Sequence, residues 1–74
     1  MAQAYVLINL EPRYNVIDKV RNLPSVAEAY RVHGVYDLIV KVVAEDLREL
    51  RKTIIDQIRR IDGVRSTMTL IVTD

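Results

Sequence analysis

Residues 31–43, RVHGVYDLIVKVV, decide the fold of this chain. The pair His33-Gly34 is typical of a tight turn, and the residues on either side of it suit two strands. The second strand, over residues 36–43, is apolar on both faces apart from two charged side chains. The pattern predicts a hairpin that turns at Gly34. Asp37, a carboxylate on a strand otherwise suited to burial, is the most unusual residue of the segment.

The rest of the chain alternates between strand-like and helix-like patterns. Runs of β-branched and aromatic residues predict strands, whereas apolar residues at helical spacing predict two amphipathic helices. Pro12 suits the first turn of the first helix, and Asp46 suits the N-cap of the second. The predicted elements, in chain order, are a strand over 5–10, a helix from Pro12 to about residue 22, strands over 26–32 and 36–43, a helix from Asp46 to about residue 61, and a strand over 67–73.

This βαββαβ order predicts a ferredoxin-like α+β sandwich that forms a single domain over residues 1–74. Because strand-helix-strand crossovers are right-handed, both helices are expected on one face of a four-stranded antiparallel sheet. The expected strand order across the sheet is 4-1-3-2. The second strand carries Glu28 and Arg31 and is the most polar of the set, which favours a position at the edge of the sheet.

Composition narrows the classes of function. The 74 residues carry 11 basic and 10 acidic side chains, a net charge of +1, so no strong field attracts nucleic acid or an anionic membrane. The absence of cysteine excludes disulfides, thiolate ligands and a thiol nucleophile. No apolar run approaches the ~20 residues of a membrane helix, and no signal-peptide pattern opens the chain. We therefore expect a soluble, cytoplasmic protein with no membrane partner.

Strand alternation assigns side chains to the two faces of the predicted sheet. The set that includes Val6, Val40, Met68 and Leu70 is expected to pack against the helices. The opposite face has no third layer to cover it, and an exposed apolar patch of several hundred Å² usually marks an interface. We therefore predict self-association, at least into a dimer, through this open face. The residues predicted to form the interface are Tyr5, Leu7, Ile39, Val43 and Ile71.

The chemistry of a catalytic site is missing. With one histidine, no cysteine and no glycine-rich loop, the chain offers no acid/base or metal-binding set, so we predict no enzymatic activity, no metal and no cofactor. Asp37, Thr67 and Thr69 are polar residues predicted on the open face. Two interpretations stay open: they form hydrogen bonds within an oligomer interface, or they hold a small polar ligand whose ammonium group meets the carboxylate.

Two motifs resemble a known family. Residues 32–37, VHGVYD, and residues 61–72, IDGVRSTMTLIV, are similar in order and spacing to the effector-binding domain of the Lrp/AsnC (feast/famine) transcription regulators, called the RAM domain. The likeness spans essentially the whole chain. It implies amino-acid binding, and dimers that assemble further into tetramers, octamers or rings. The ligand-contacting positions that it implies are Gly34, Tyr36, Asp37, Thr67 and Thr69.

The resemblance also shapes the expected partners. The helix-turn-helix that precedes this domain in the family is not found in the 74 residues, and Met1 fits a natural start, so we expect a stand-alone module without sequence-specific DNA binding. Its expected partners are other copies of itself, an amino-acid effector and full-length regulators of the family. The alternatives are a ring-forming scaffold without a functional ligand, and an ACT-type regulatory domain, which shares the topology.

Overall fold

The computed structural model describes residues 1–74 and has the predicted order of elements. Asp46 caps the second helix as predicted, since its Oδ1 accepts a hydrogen bond of 2.9 Å from the Glu49 amide. This helix then widens into a π-helical segment over Thr53–Ile58. The elements are β1 (Ala2–Leu10), α1 (Ile17–Arg21), β2 (Val26–Arg31), β3 (Leu38–Ala44), α2 (Leu47–Lys52) with its π-helical extension, and β4 (Val64–Ile71).

The four strands form one antiparallel sheet in the order β2-β3-β1-β4, which confirms the predicted strand order and the edge position of β2. The core lies between this sheet and the helices. Val6 and Val40 are fully buried there, as their alternation predicts. Burying each such side chain contributes roughly 1.5–3 kcal/mol. The largest other fully buried members are Ile8, Ile17, Leu38, Leu50 and Ile58.

The prediction of which β4 side chains face the helices was wrong. Val6 pairs with Thr69, and Leu7 pairs with Met68. Paired residues share a face of the sheet, so Thr69 lies on the helix side and Met68 on the open side. Both alternating sets of β4 contain apolar residues. The alternation alone therefore did not determine which set faces the helices. The helix side of β4 therefore holds Thr67, Thr69 and Ile71, and its open side holds Ser66, Met68 and Leu70.

The first helix is shorter than predicted. It begins at Ile17, because residues 11–14 form a turn in which the Tyr14 amide donates to the Glu11 carbonyl over 3.3 Å. Arg13 has a φ of 71°, in the left-handed region that an α-helix excludes. Pro12 therefore serves the turn instead of a first helical turn, a second position that proline suits equally well.

The connection between β2 and β3 is also longer than predicted. Residues 32–37 lie between the two strands, so the tight turn expected at His33-Gly34 is a six-residue loop. The Val32 amide donates to the Asp37 carbonyl over 2.9 Å and closes this loop at its base. Asp37 consequently lies just before β3, where its side chain escapes the alternation of the strand.

Gly63 joins the end of the helical layer to β4 and cannot be replaced by a larger residue without strain. Its φ is 98°, and a Cβ added there would lie 2.4 Å from Cδ1 of Tyr14. The Gly63 carbonyl also accepts a hydrogen bond of 2.8 Å from the Glu11 amide. The β1–α1 turn is thus packed and hydrogen-bonded against this glycine.

We expect Gly63→Ala to lower the free energy of unfolding by about 1–3 kcal/mol, because an alanine is strained at this φ and its methyl group meets the Tyr14 ring. Denaturant unfolding at a fixed protein concentration measures this loss. Tyr14→Gly removes both the ring and the Cβ that the new methyl group meets, so Gly63→Ala should cost less stability in a Tyr14→Gly background than in the wild type. An alanine at position 63 that leaves stability unchanged would contradict the predicted strain.

Candidate functional site

Asp37 joins the two central strands at one end of the sheet. Its amide donates to the Ile8 carbonyl over 2.9 Å, and its Oδ2 accepts a hydrogen bond of 2.8 Å from the Leu10 amide. The side chain is nevertheless exposed, and its Oδ1 has no protein partner. One carboxylate oxygen therefore has a structural role, and the other is free to accept a hydrogen bond from a ligand.

The other two turn residues predicted at the site lie near Asp37. Gly34 is exposed, and no atom outside its chain neighbours lies within 4 Å of the position that a Cβ would occupy, so its backbone is open to approach. Tyr36 is half-buried, and its hydroxyl lies 3.6 Å from Met68 Sδ. The Tyr36 side chain therefore extends across the open face toward β4. Gly34, Tyr36 and Asp37 form the turn half of the predicted site.

Thr67 and Thr69 lie elsewhere in the protomer. They line a groove of about 360 Å³ between β4 and the second helix, on the helix side of the sheet. Asp37 lines a different cleft, of about 450 Å³, which is bordered by the β1–α1 turn and shares no residue with the groove. The prediction that the threonines share the open face with Asp37 was therefore wrong. One protomer does not bring the two halves of the predicted site together.

Sequence reasoning missed the helical wall of this groove. Arg51, Ile55 and Arg59 all line it, together with buried Leu50 and Ile54. The available signal was the spacing of four residues between Arg51, Ile55 and Arg59, which places all three on one side of a helix. This spacing places Ile55 between two arginines on the exposed side of the helix.

The open face carries an apolar patch. Tyr5 is 37% exposed, Met68 48% and Leu70 51%, and Leu7, Ile39 and Val43 are partly exposed beside them. We name these six residues the sheet patch. Four of the five predicted interface residues belong to it. The fifth, Ile71, does not, because its pairing with Ala4 turns it to the helix side.

A charged group borders the sheet patch on β2 and β3. Lys41 Nζ lies 3.9 Å from Glu28 Oε2, and the Tyr30 hydroxyl donates to Glu28 Oε1 over 2.5 Å. This hydrogen bond, and then the negative charge of Glu28, raises the pKa of Tyr30. Polar side chains at the margin of an apolar patch are typical of a protein interface.

The structure contains neither a metal-binding cluster nor a membrane-spanning helix. No cluster of three or more His, Cys, Asp or Glu side chains is placed to hold a metal ion. None of the helices combines the length and apolar character required to cross a membrane.

This chain is similar in sequence to a known protein family and to curated proteins. The family model described as the Lrp/AsnC ligand binding domain matches residues 3–74. An uncharacterised helix-turn-helix-type transcriptional regulator of Pyrococcus abyssi is 36% identical over 72 residues, which cover 95% of this chain and 46% of that protein. The chain thus spans about half the length of such curated relatives.

Of two further relatives, one is close to this chain in length and the other is much longer. The crystal structure of a hypothetical protein from Pyrococcus horikoshii superposes with a TM-score of 0.92 at 36% identity, over 99% of this chain and 90% of that one. A homocitrate synthase of Sulfurisphaera tokodaii is 46% identical over 50 residues, which are 68% of this chain but only 11% of the enzyme. Similar sequences therefore occur beside different neighbouring domains.

The hydrogen bond at Asp37 Oδ2 predicts that removing the acceptor oxygen lowers stability more than removing the charge alone. Asp37→Ala removes the acceptor of the Leu10 amide and should lower the free energy of unfolding by about 1 kcal/mol. Asp37→Asn keeps an acceptor oxygen and should retain most of that stability. Denaturant unfolding of both variants measures the difference. Equal losses in the two variants would contradict the proposed role of this hydrogen bond.

Proposed function

Because this chain belongs to the Lrp/AsnC ligand-binding domain family, we propose that it is an oligomeric regulatory module that binds an α-amino acid between protomers. One observation carries the proposal: Asp37 and the pair Thr67 and Thr69 line two separate clefts of the protomer, which share no residue. A site that uses both halves has to combine the turn of one protomer with the groove of another.

The chemistry of the two halves suits the two ends of an amino acid. The free Oδ1 of Asp37 can accept a hydrogen bond from the ammonium group, and the hydroxyls of Thr67 and Thr69 can donate to the carboxylate. Gly34 allows the backbone of the turn to approach the ligand closely. Since two protomers enclose the ligand, binding and assembly are linked, and ligand stabilises the oligomer by about RT ln(1 + [L]/Kd) per site.

The sheet patch supplies the primary contact between copies. Two sheets that pack face to face lie about 10 Å apart, with their inner side chains interdigitated. A second copy of this chain would therefore cover the patch with an equally apolar surface, as in an isologous dimer. The helix-side groove stays open in such a dimer, and further dimers can add there.

Two longer relatives support a regulatory role for the module. The stretch similar to this chain makes up 46% of the Pyrococcus abyssi regulator and 11% of the homocitrate synthase. We infer that this stretch contributes regulation, and that DNA binding or catalysis belongs to other parts of those proteins. The chain itself would act in the cytoplasm without enzymatic activity, and through a partner with a DNA-binding domain. With a net charge of +1, it has no strong electrostatic attraction for the DNA backbone.

A ring-forming scaffold without a functional ligand is the second candidate. The hydrogen bond from the Leu10 amide favours it, because this bond gives the Asp37 carboxylate a purely structural reason to be present. An ACT-type regulatory domain would share the topology and the amino-acid chemistry. Ligand titration separates the scaffold from the sensor.

Assembly through the sheet patch predicts that the protein is at least dimeric at micromolar concentration. Leu7→Lys and Ile39→Lys place charges in the patch and should raise the dissociation constant, whereas Leu47→Lys, at an exposed leucine of the helix layer, should have little effect. Light scattering over a dilution series measures this. A wild-type particle of 8.5 kDa would refute the interface.

Ligand binding predicts a measurable role for the charge of Asp37. Isothermal calorimetry with the common amino acids should identify a ligand for the wild type. Asp37→Asn should lower its affinity roughly 10–100-fold, the loss of about 1.5–3 kcal/mol from a charge-assisted hydrogen bond, while the oligomer remains. Equal affinities would remove Asp37 from the site. If no amino acid binds, the scaffold function is supported instead.

A further inference from the structure

The outer edge of β2 is one of the two free edges of the sheet, at the end opposite β4. The Ala29 carbonyl lies on this edge, because its hydrogen bonds come from the Arg21 side chain and not from β3. Backbone groups alternate in direction along an antiparallel strand, so the Ala29 amide and both backbone groups of Arg31 point to the same edge. Such a row of outward-pointing groups can pair with a strand of another chain.

Arg21 covers part of this edge. It is the last residue of α1, and its Nε and Nη2 donate to the Ala29 carbonyl over 3.2 and 2.9 Å. The salt bridge of this chain joins Lys41 and Glu28, so no carboxylate competes for the Arg21 guanidinium. A hydrogen bond from a charged donor is roughly twice as strong as a neutral one. A strand that pairs with β2 therefore has to displace a strong donor from the carbonyl.

A bulge adjoins the covered carbonyl. Val26 and Glu28 pair with Val42 and Lys41, which are adjacent in β3, so Ala27 has no partner across the ladder. Bulges and charged side chains are two means by which proteins prevent unwanted pairing at a sheet edge. Both occur here within three consecutive residues of one strand, which indicates that this edge would pair if it were left uncovered.

A second copy of β2 is the strand that fits this edge. If two β2 strands pair antiparallel about Ala29, Tyr30 of each copy lies opposite Glu28 of the other. Within the protomer, the Tyr30 hydroxyl already donates to the Glu28 carboxylate, so the same hydrogen bond can form between copies. The Ala29 methyl group is buried on the helix side and adds no bulk between the strands. The edge is therefore complementary to itself.

We propose that the outer edge of β2 is a latent pairing surface for a second copy of this chain, and that Arg21 keeps it closed. When the guanidinium leaves the Ala29 carbonyl, two β2 strands join and two four-stranded sheets become one continuous sheet. This contact lies at the edge of the sheet and is independent of the sheet patch on its face. Arg21 thus prevents oligomers that form through the face from linking into larger assemblies through their edges.

The experiment compares the wild type with Arg21→Met, which keeps the aliphatic part of the side chain and removes every donor. Losing the competing hydrogen bond should lower the dissociation constant of edge pairing roughly 10–100-fold. In light scattering over a dilution series, the mass of Arg21→Met should approach about twice that of the wild type at the same concentration. Arg21→Lys keeps the charge without the planar fork of donors and should give an intermediate mass. Lys19→Met is the matched control, since this exposed residue of the same helix does not bind the Ala29 carbonyl.

A proline tests the position of the contact. Arg31→Pro removes an outward-pointing amide, and proline is compatible with an edge strand at such a position while it prevents pairing there. Added to Arg21→Met, it should return the mass to that of the wild type. Arg31→Ala keeps the amide and should not do so. Arg31→Ala also controls for the loss of the hydrogen bond from Arg31 to Asn15.

The outcomes separate this inference from assembly through the sheet patch. Arg21→Met and Arg21→Lys proteins that both keep the wild-type mass over the whole dilution series overturn it, as does an increase in mass that persists with Arg31→Pro. The wild-type mass is the reference in each comparison, so the test holds for a monomeric as well as a dimeric wild type. A wild type of 8.5 kDa with a dimeric Arg21→Met variant would refute the sheet-patch interface and support the closed edge.

Discussion

Hydrogen bonding of β1 along both of its edges is the constraint on which the rest of the structure depends. β1 pairs with β3 from Ala2 to Ile8 and with β4 from Ala4 to Leu10. Because side chains alternate along a strand, this double register determines which residues of both neighbours meet the helices. A slip of one residue would exchange the groove and the sheet patch. The placement of Thr67 and Thr69 in the groove, away from Asp37, follows from this pairing.

The small size of the helical layer explains where the protein is left exposed. α1 has 5 residues, and α2 has 6 before its π-helical extension. These short helices cover the two central strands but not β4. No residue of β4 is buried. Its open side contributes to the sheet patch, its helix side forms the groove wall, and its outer edge has no neighbouring strand. The last strand is therefore the element with the most surface available for partners and ligands.

The features predicted correctly are those that have a strong local signal in the sequence. The topology, the cap at Asp46 and the burial of Val6 and Val40 each depend on periodicity or on one side chain with a clear preference. The faces of β4 depended on register, because threonines and aliphatic residues there satisfy either side. Pro12 suits a turn as well as a helix start, and the left-handed Arg13 gives no sequence signal. The two arginines of the groove became meaningful only when β4 was placed opposite them.

The central position of β1 also has a consequence for the order in which the fold can form. Asn9 Nδ2 donates to Ser66 Oγ over 3.3 Å, although 57 residues separate the two in sequence. On a ribosome that adds about 5–20 residues per second, the central strand waits for seconds before its second neighbour exists. The core cannot close during that time, since half of the backbone groups of β1 still contact water. Folding of this domain is therefore completed only after β4 has emerged, and one edge of β1 stays unpaired until then.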